Sequence, residues 1–161
     1  MQNFTIRPAT PNDVHSILSF IKMLADYENM SDDVSATEEM LLDELFTKHS
    51  AEVIIAEEGG IAVGFALYFT NFSTFLAKTG MHLEDLFVIP AYRGKGYGKA
   101  LLRHLAYIAE SRGYGRMEWA CLDWNKPSID FYLSLGAEPL ADWTTYRLSD
   151  KTLTQNAKEY K

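Results

Sequence analysis

The sequence predicts an α/β protein in which helices flank a mixed, mostly antiparallel sheet. Three observations indicate this fold class. Apolar runs of strand length are interspersed with segments of helical periodicity. The stretch "EVIIAEEGGIAVGFALYF" contains two apolar runs around residues 57–60, which is typical of an antiparallel hairpin. A further strand, stopped by Pro90, leads through a glycine-rich stretch into a long helix.

The first elements follow from local signals. "FTIRPAT" is predicted to be a strand, and a helix then starts at Thr10, with a hydroxyl N-cap, Pro11 at the first position and Asp13 three residues after the cap. A second helix is expected to start near Ser35 or Thr37. Its expected apolar residues are Met40, Leu41, Leu45 and Phe46.

The remaining elements complete the predicted order β-α-α-β-β-β-α-β-α-β. Residues 71–80 are expected to form a loop before the strand "MHLEDLFVIP". A helix from Gly98 to about Glu110, a strand in "MEWACLD" and a short helix in "PSIDFYLSLGA" follow. "TTYRLS" is predicted as a last strand, and the polar tail after Ser149 as a frayed helix.

Composition limits the classes of protein that fit. The chain has 161 residues, 47% of them hydrophobic, and is expected to form a single domain over residues 1–161. It has one cysteine, no apolar signal core and no apolar run of the ~18 residues that a membrane span needs. A cytoplasmic protein without a membrane partner is therefore expected. The net charge of −7 argues against nucleic-acid binding and is compatible with a small cationic substrate.

The stretch "YRGKGYGKALL" places Gly94, Gly96 and Gly98 at every second position before a helix. Exposed N–H groups and the positive end of a helix dipole can bind an anion there, and glycine lets it approach the backbone. The spacing matches neither a Walker loop nor G-x-G-x-x-G. From these residues alone, an ordinary turn without a ligand stays an open interpretation.

The surrounding motifs resemble those of the GNAT N-acetyltransferases. "FTIRPAT", "LADYENM", "VGFALYF", "LEDLFV", "YRGKGYG" and "WNKPSIDFY" look like successive segments of spermidine/spermine (diamine) N-acetyltransferases, over residues 4–148. The resemblance implies that the loop holds the pyrophosphate of acetyl-CoA, and no metal is expected. The residues it implies for coenzyme binding are Leu86, Phe87, Val88, Arg93, Gly94, Lys95, Gly96, Tyr97, Gly98, Lys99, Asn125, Ser128 and Tyr132.

Acetyl transfer to an amine requires two proton transfers. An alkylammonium with a pKa near ~10.4 must lose a proton before it attacks, and the leaving thiolate needs a donor. Strand alternation is expected to direct Glu84 and Asp85 to opposite faces, and either could simply be solvent-exposed. By resemblance, Glu84 accepts the amine proton through water and Asp85 binds the cationic substrate. Tyr132 matches the general acid, although the residue type alone is equally consistent with core packing.

The amine site rests on the resemblance. Thr74 stands where an acid is expected and Tyr146 where a tryptophan is expected, which leaves room for a shorter diamine or a lysine-like amine such as thialysine. The implied substrate residues are Tyr27, Glu28, Glu84, Asp85, Glu118, Trp119 and Ala120.

The sequence therefore predicts an acetyl-CoA-dependent amine N-acetyltransferase that acts by direct transfer in a ternary complex. A protein lysine or N-terminal acetyltransferase and a non-catalytic acyl-CoA sensor remain the alternatives. The four histidines and Cys121 show no metal-ligand spacing. A homodimer is expected from the resemblance, with aromatic residues near positions 69–75 as a candidate interface.

Overall fold

The computed structural model describes residues 3–160, which form two compact units that divide between Ala120 and Cys121. The expectation of one domain over residues 1–161 stays a prediction, and residues 1, 2 and 161 lie outside the described part. The first unit contains a five-stranded sheet and three helices, and the second contains two helices.

The sheet has the strand order β1-β2-β3-β4-β5. The first four strands pair antiparallel, whereas β5 runs parallel to β4. This is the mixed, mostly antiparallel sheet that the sequence predicts. The strands are β1 Phe4–Pro8, β2 Glu52–Glu58, β3 Ile61–Ser73, β4 Lys78–Val88 and β5 Met117–Trp119.

The helices of the first unit begin close to their predicted caps. Asp13 closes a capping box with Thr10 and binds the Arg7 guanidinium at 2.8 Å, after which α1 spans Val14–Tyr27. Thr37 caps α2, Glu38–Leu42, which continues as a wider π-helical turn over Asp43–Thr47. Helix α3, Tyr97–Ser111, follows the glycine-rich loop.

Apolar faces of these helices cover the sheet. The Phe20 ring of α1 stacks on Phe65 of β3 at 5.3 Å, and α3 buries Leu101, Leu102, Leu105 and Ala109. Met40 was predicted to be on the apolar face of α2, but it is 52% exposed, so that prediction is wrong. Leu45 is buried, and its predicted companions Leu41 and Phe46 pack partly buried against the core. One core cluster contains Ile17, Phe20, Leu45, Val53, Ile55, Phe65 and Phe87.

The predicted loop over residues 71–80 is wrong, because β3 and β4 form a long hairpin there. Pairing continues from Thr70 opposite Met81 to Ser73 opposite Lys78, and only residues 74–77 turn. Phe72 is exposed at the end of this hairpin. Main-chain pairing continues along the two strands, and the side chains of residues 69–73 alternate between more and less exposed positions.

In the second unit, α4 spans Lys126–Ser134 and α5 spans Asp150–Lys158, as the sequence indicates. The predicted strand "TTYRLS" is wrong, since residues 143–149 adopt no regular structure. Residues 121–160 contain no strand that could pair with this segment, and an unpaired strand leaves its backbone groups without partners.

Candidate active site

The glycine-rich loop leads directly into α3. Gly94 and Gly96 have φ values of +80° and +84°, a region that L side chains rarely adopt. A Cβ atom at either glycine would meet nothing within 4 Å, so the space beside the loop is open. Gly96 is the N-cap of α3, and helix geometry leaves the first amides of the helix without intrahelical acceptors. The loop therefore fits an anion such as a diphosphate.

Arg93, predicted to add positive charge beside the phosphates, contacts β4 and α1. Its Nε atom donates to the Val88 carbonyl oxygen at 2.8 Å. Its guanidinium lies over the ring of Tyr27 at 5.3 Å and over that of Phe87 at 5.2 Å. Arg93 therefore connects the loop to Tyr27, a predicted amine-site residue. The predicted cation Lys99 is exposed in the first turn of α3.

A β-bulge places Glu84 outside the regular strand pairing. Asp85 pairs with Leu67 and Leu83 pairs with Tyr68, so no residue of β3 stands opposite Glu84. The predicted strict alternation of Glu84 and Asp85 is therefore interrupted at this point. The Glu84 side chain is 56% exposed. Bulges redirect side chains and are common beside active sites.

Three carboxyl groups influence one another near the bulge. Burial, followed by the charges of Glu84 and Glu28, raises the pKa of Asp85 to about 6. Burial also raises the pKa of Glu28, which caps the C-terminus of α1. The charges of Glu84 and Glu28 both disfavour the ionised form of Asp85, so a positively charged ligand beside these carboxyl groups would be stabilised.

A neighbouring polar group borders this acidic cluster. His82 Nε2 lies 3.5 Å from Glu84 Oε2, and the His82 ring packs on Phe69 at 4.9 Å. Glu118 of β5 stands opposite His82 in the strand register. Its Oε1 atom lies 2.6 Å from Arg116 Nε, so Glu118 already has a cationic neighbour.

The edge of β4 is open beyond the short strand β5. Only Met81–Leu83 pair with β5, which ends at Trp119, followed by Ala120. Residues 85–88 have a partner in β3 but none in β5. This stretch includes Leu86, Phe87 and Val88, whose main chain the resemblance assigns to the pantetheine arm. An extended ligand could pair with such an edge as an added strand.

Three predicted coenzyme or catalytic residues belong to the second unit. Asn125 is buried and caps α4, since its side-chain oxygen accepts from the Ser128 amide at 3.4 Å. Tyr132 lies on α4, half-buried, with its ring 5.5 Å from that of Phe131. The capping contact gives the buried Asn125 side chain a structural role in α4. The roles of Asn125, Ser128 and Tyr132 toward a ligand stay predictions.

The sequence analysis missed Glu58, which was interpreted only as part of a hairpin turn. Glu58 ends β2, is 5% exposed and lies 2.9 Å from Lys95 Nζ. The Tyr97 hydroxyl also donates to its carboxylate. Two adjacent acids at the end of an apolar strand were the available signal, but the partners lie 37 and 39 residues away.

Residues 3–160 contain no group of three or more His, Cys, Asp or Glu side chains arranged to hold a metal ion. No helix in that range is both long and apolar enough to cross a bilayer.

The chain belongs to the acetyltransferase (GNAT) family, whose model matches residues 17–137. GNAT enzymes transfer acetyl groups from acetyl-CoA, and the fold and the glycine loop described above agree with this assignment. The protein is thus an amine N-acetyltransferase.

Particular relatives indicate which amines such enzymes use. A thialysine N-epsilon-acetyltransferase of Sus scrofa is 34% identical over 98% of this chain and 99% of its own. L-ornithine N5-acetyltransferase NATA1 of Arabidopsis thaliana is 43% identical over 58% of this chain and 41% of its own. An integron cassette protein from the mobile metagenome of V. cholerae has a TM-score of 0.82 and 29% identity, covering 99% of this chain and 100% of its own.

Proposed function

We propose that this enzyme acetylates the primary amine of a small cationic substrate, a lysine-like amino acid such as thialysine or a short diamine, by direct transfer from acetyl-CoA. The acidic cluster of Glu28, Glu84 and Asp85 carries the proposal. It provides negative charge for an ammonium group at the open edge of β4, close in the chain to the glycine loop. The relatives named for thialysine and L-ornithine support an acceptor of this size and charge.

The donor would be held along two parts of the first unit. The main-chain amides from Gly94 to Lys99 would bind the diphosphate, and the backbone of residues 86–88 would pair with the pantetheine arm. When bound, acetyl-CoA supplies an acetyl thioester. The half-exposed Tyr27 and the end of β5, with Glu118, Trp119 and Ala120, would border the amine.

The carboxyl groups would have separate roles in proton transfer. Asp85, half-buried, would hold the ammonium form of the substrate. Glu84, exposed at the bulge, can contact water and would accept the ammonium proton through it. The freed amine nitrogen then forms a bond to the acetyl carbon as the carbon–sulfur bond breaks.

The Tyr132 hydroxyl would donate its proton to the leaving sulfur, and the second proton that the nitrogen loses as the amide forms would restore the phenol. Asn125 and Ser128 would orient the start of α4 beside the coenzyme arm. A phenol is a suitable donor because its pKa near ~10 keeps it protonated at neutral pH. This direct transfer needs no acyl-enzyme, so the Cys121 thiol has no part in it.

A ranked set of kcat/KM values tests the proposed acceptor. Thialysine, L-ornithine, L-lysine, putrescine, spermidine and a lysine-containing peptide would be compared at saturating acetyl-CoA. We expect the short lysine-like amines to rank first. A peptide ranking first would favour a protein acetyltransferase, and CoA binding without transfer to any amine would favour a sensor.

We also propose that the protein forms a homodimer. The end of the β3–β4 hairpin exposes Phe72, Phe75 and Leu76, with exposed fractions of 58%, 101% and 54%. Contiguous exposed apolar side chains of this kind are characteristic of contact surfaces. Sedimentation equilibrium would measure the mass, and a monomer at micromolar concentration would contradict the proposal.

A further inference from the structure

Glu58 connects three segments of the first unit through its carboxylate. Lys95 Nζ lies 2.9 Å from Oε1 and 3.0 Å from Oε2, and the Tyr97 hydroxyl donates to Oε2. Phe4, opposite Glu58 in the β1–β2 register, stacks its ring on Tyr97 at 4.1 Å and 8°. We call Glu58, Lys95 and Tyr97 the Glu58 cluster.

The charge balance of the Glu58 cluster suits a neighbouring anion. A buried carboxylate close to a phosphate-binding loop would repel the phosphate if it had no compensating charge. Here the Tyr97 hydroxyl and the Lys95 ammonium both stabilise the ionised form and lower the pKa of Glu58. The carboxylate is therefore compensated inside the protein, and Lys95 directs its ammonium toward Glu58.

The two partners of Glu58 lie on either side of Gly96. Lys95 precedes and Tyr97 follows this glycine, whose φ of +84° sets the direction of the turn into α3. Since both side chains bind one carboxylate fixed at the end of β2, the backbone between them has little freedom to change conformation.

We propose that Glu58 is a positioning residue for coenzyme binding. By holding Lys95 and Tyr97, it keeps the amides around Gly96 in the arrangement that receives the diphosphate. This inference rests on the proposed function, because it concerns the same loop. It adds a role for a buried acid on β2 and for two loop side chains whose function is to orient the main chain rather than to contact phosphate.

The inference predicts different effects on kcat/KM for acetyl donors that carry a diphosphate and for acetyl donors that lack one. In Glu58→Gln the charged contact to Lys95 is lost while the side-chain volume is kept. We expect kcat/KM for acetyl-CoA to fall about tenfold, the effect of losing one charge-assisted hydrogen bond. With S-acetylpantetheine, which has no diphosphate, kcat/KM should not change, whereas a general structural defect would lower both values.

A second measurement uses the free protein. Amide hydrogen exchange at residues 93–98 should become faster in Glu58→Gln without coenzyme, because the loop samples more conformations. Glu52→Gln is the matched control, since Glu52 begins the same strand and pairs with Arg112 at 2.7 and 2.9 Å. It should leave loop exchange and both donor constants at their wild-type values.

Tyr97→Phe tests the inference with a smaller change if Glu58→Gln does not fold. It should weaken CoA binding, measured by calorimetry, and leave the reaction with S-acetylpantetheine intact. Wild-type protein that binds no CoA would overturn the proposed function and this inference together. Normal CoA binding by the wild type, with equal affinity in Glu58→Gln or Tyr97→Phe, would overturn this inference alone.

Discussion

Arg93 Nε donates a 2.8 Å hydrogen bond to the carbonyl oxygen of Val88, so the start of the glycine loop is held to the end of β4. The same guanidinium lies over the ring of Tyr27, at the end of α1. The loop, β4 and α1 are therefore joined by one cation that makes both a hydrogen bond and a ring contact. Arg93 therefore contacts both the segment proposed to bind phosphate and the end of α1, which is proposed to bind the amine.

Replacing Gly96 by valine should abolish tight binding of acetyl-CoA. A β-branched residue at φ +84° adds strain of about 1–2 kcal/mol and fills the open space beside the loop. Isothermal titration calorimetry with CoA measures the loss directly. We expect the dissociation constant to rise by on the order of a hundredfold, through strain and steric exclusion together.

Gly113→Val is a matched control for backbone strain. Gly113 follows the other end of α3, has φ +73°, and a Cβ there also meets nothing within 4 Å. This variant should lose similar stability in urea unfolding and keep wild-type CoA affinity. Unchanged CoA affinity in Gly96→Val would show that the diphosphate binds elsewhere.

Glu84→Gln should slow acetyl transfer most near neutral pH. We expect a decrease on the order of a hundredfold at pH 7, typical for loss of a general base. The ratio of wild-type to variant rates should shrink as the pH approaches ~10, because the amine then loses its proton without help. Single-turnover rates of the wild type and the variant, measured across this pH range, give the ratio. The exposed Glu110→Gln on α3 serves as control, and a ratio independent of pH would contradict the assignment.

Locally encoded parts of the fold could be predicted from the sequence. The capped start of α1, the β2–β3 hairpin and the apolar face of α3 each depend on residues within a few positions of one another. The glycine loop is also a local pattern. The glycine pattern alone does not identify its ligand, whereas the series of motifs over residues 4–148 indicates the pyrophosphate of acetyl-CoA.

The remaining features depend on contacts between distant segments. The bulge at Glu84 follows from the β3–β4 register. The partners of the buried Glu58 are Lys95 and Tyr97, which lie 37 and 39 residues away in the chain. Neither the bulge nor the burial of Glu58 produces a periodic pattern in the sequence. The strand predicted in "TTYRLS" shows the opposite error, because Thr and Tyr favour strands but the segment finds no partner strand in its own unit.

Asp85→Asn should alter the pH dependence of stability. The pKa of Asp85 is raised from 3.8 to about 6, so the folded state binds the proton more tightly than the unfolded state. The wild-type free energy of unfolding should therefore fall as pH rises from about 4 to about 6. The Asp85→Asn variant does not lose this stability. Its free energy of unfolding should therefore rise relative to that of the wild type by up to roughly 3 kcal/mol across this pH range.

Urea unfolding at pH 4, 5, 6 and 7 measures this difference, with the exposed Asp32→Asn as control. The same change should raise KM for the amine at pH 7, because the ammonium loses its carboxylate, and leave KM for acetyl-CoA unchanged. Parallel stability curves for wild type and Asp85→Asn would contradict the burial of this carboxyl group.

Tyr132→Phe should reduce turnover and preserve coenzyme affinity. Removing the hydroxyl takes away the proposed proton donor to sulfur, while the aromatic ring and its contact with Phe131 remain. We expect kcat to fall by about a hundredfold, within the range for general acids. The decrease should be smaller with an acetyl donor whose thiol has a lower pKa, because that leaving group needs less protonation. Tyr107→Phe, at an exposed tyrosine of α3, should leave both constants unchanged. An equal loss of CoA affinity and kcat in Tyr132→Phe would instead show that the phenol stabilises the packing of α4.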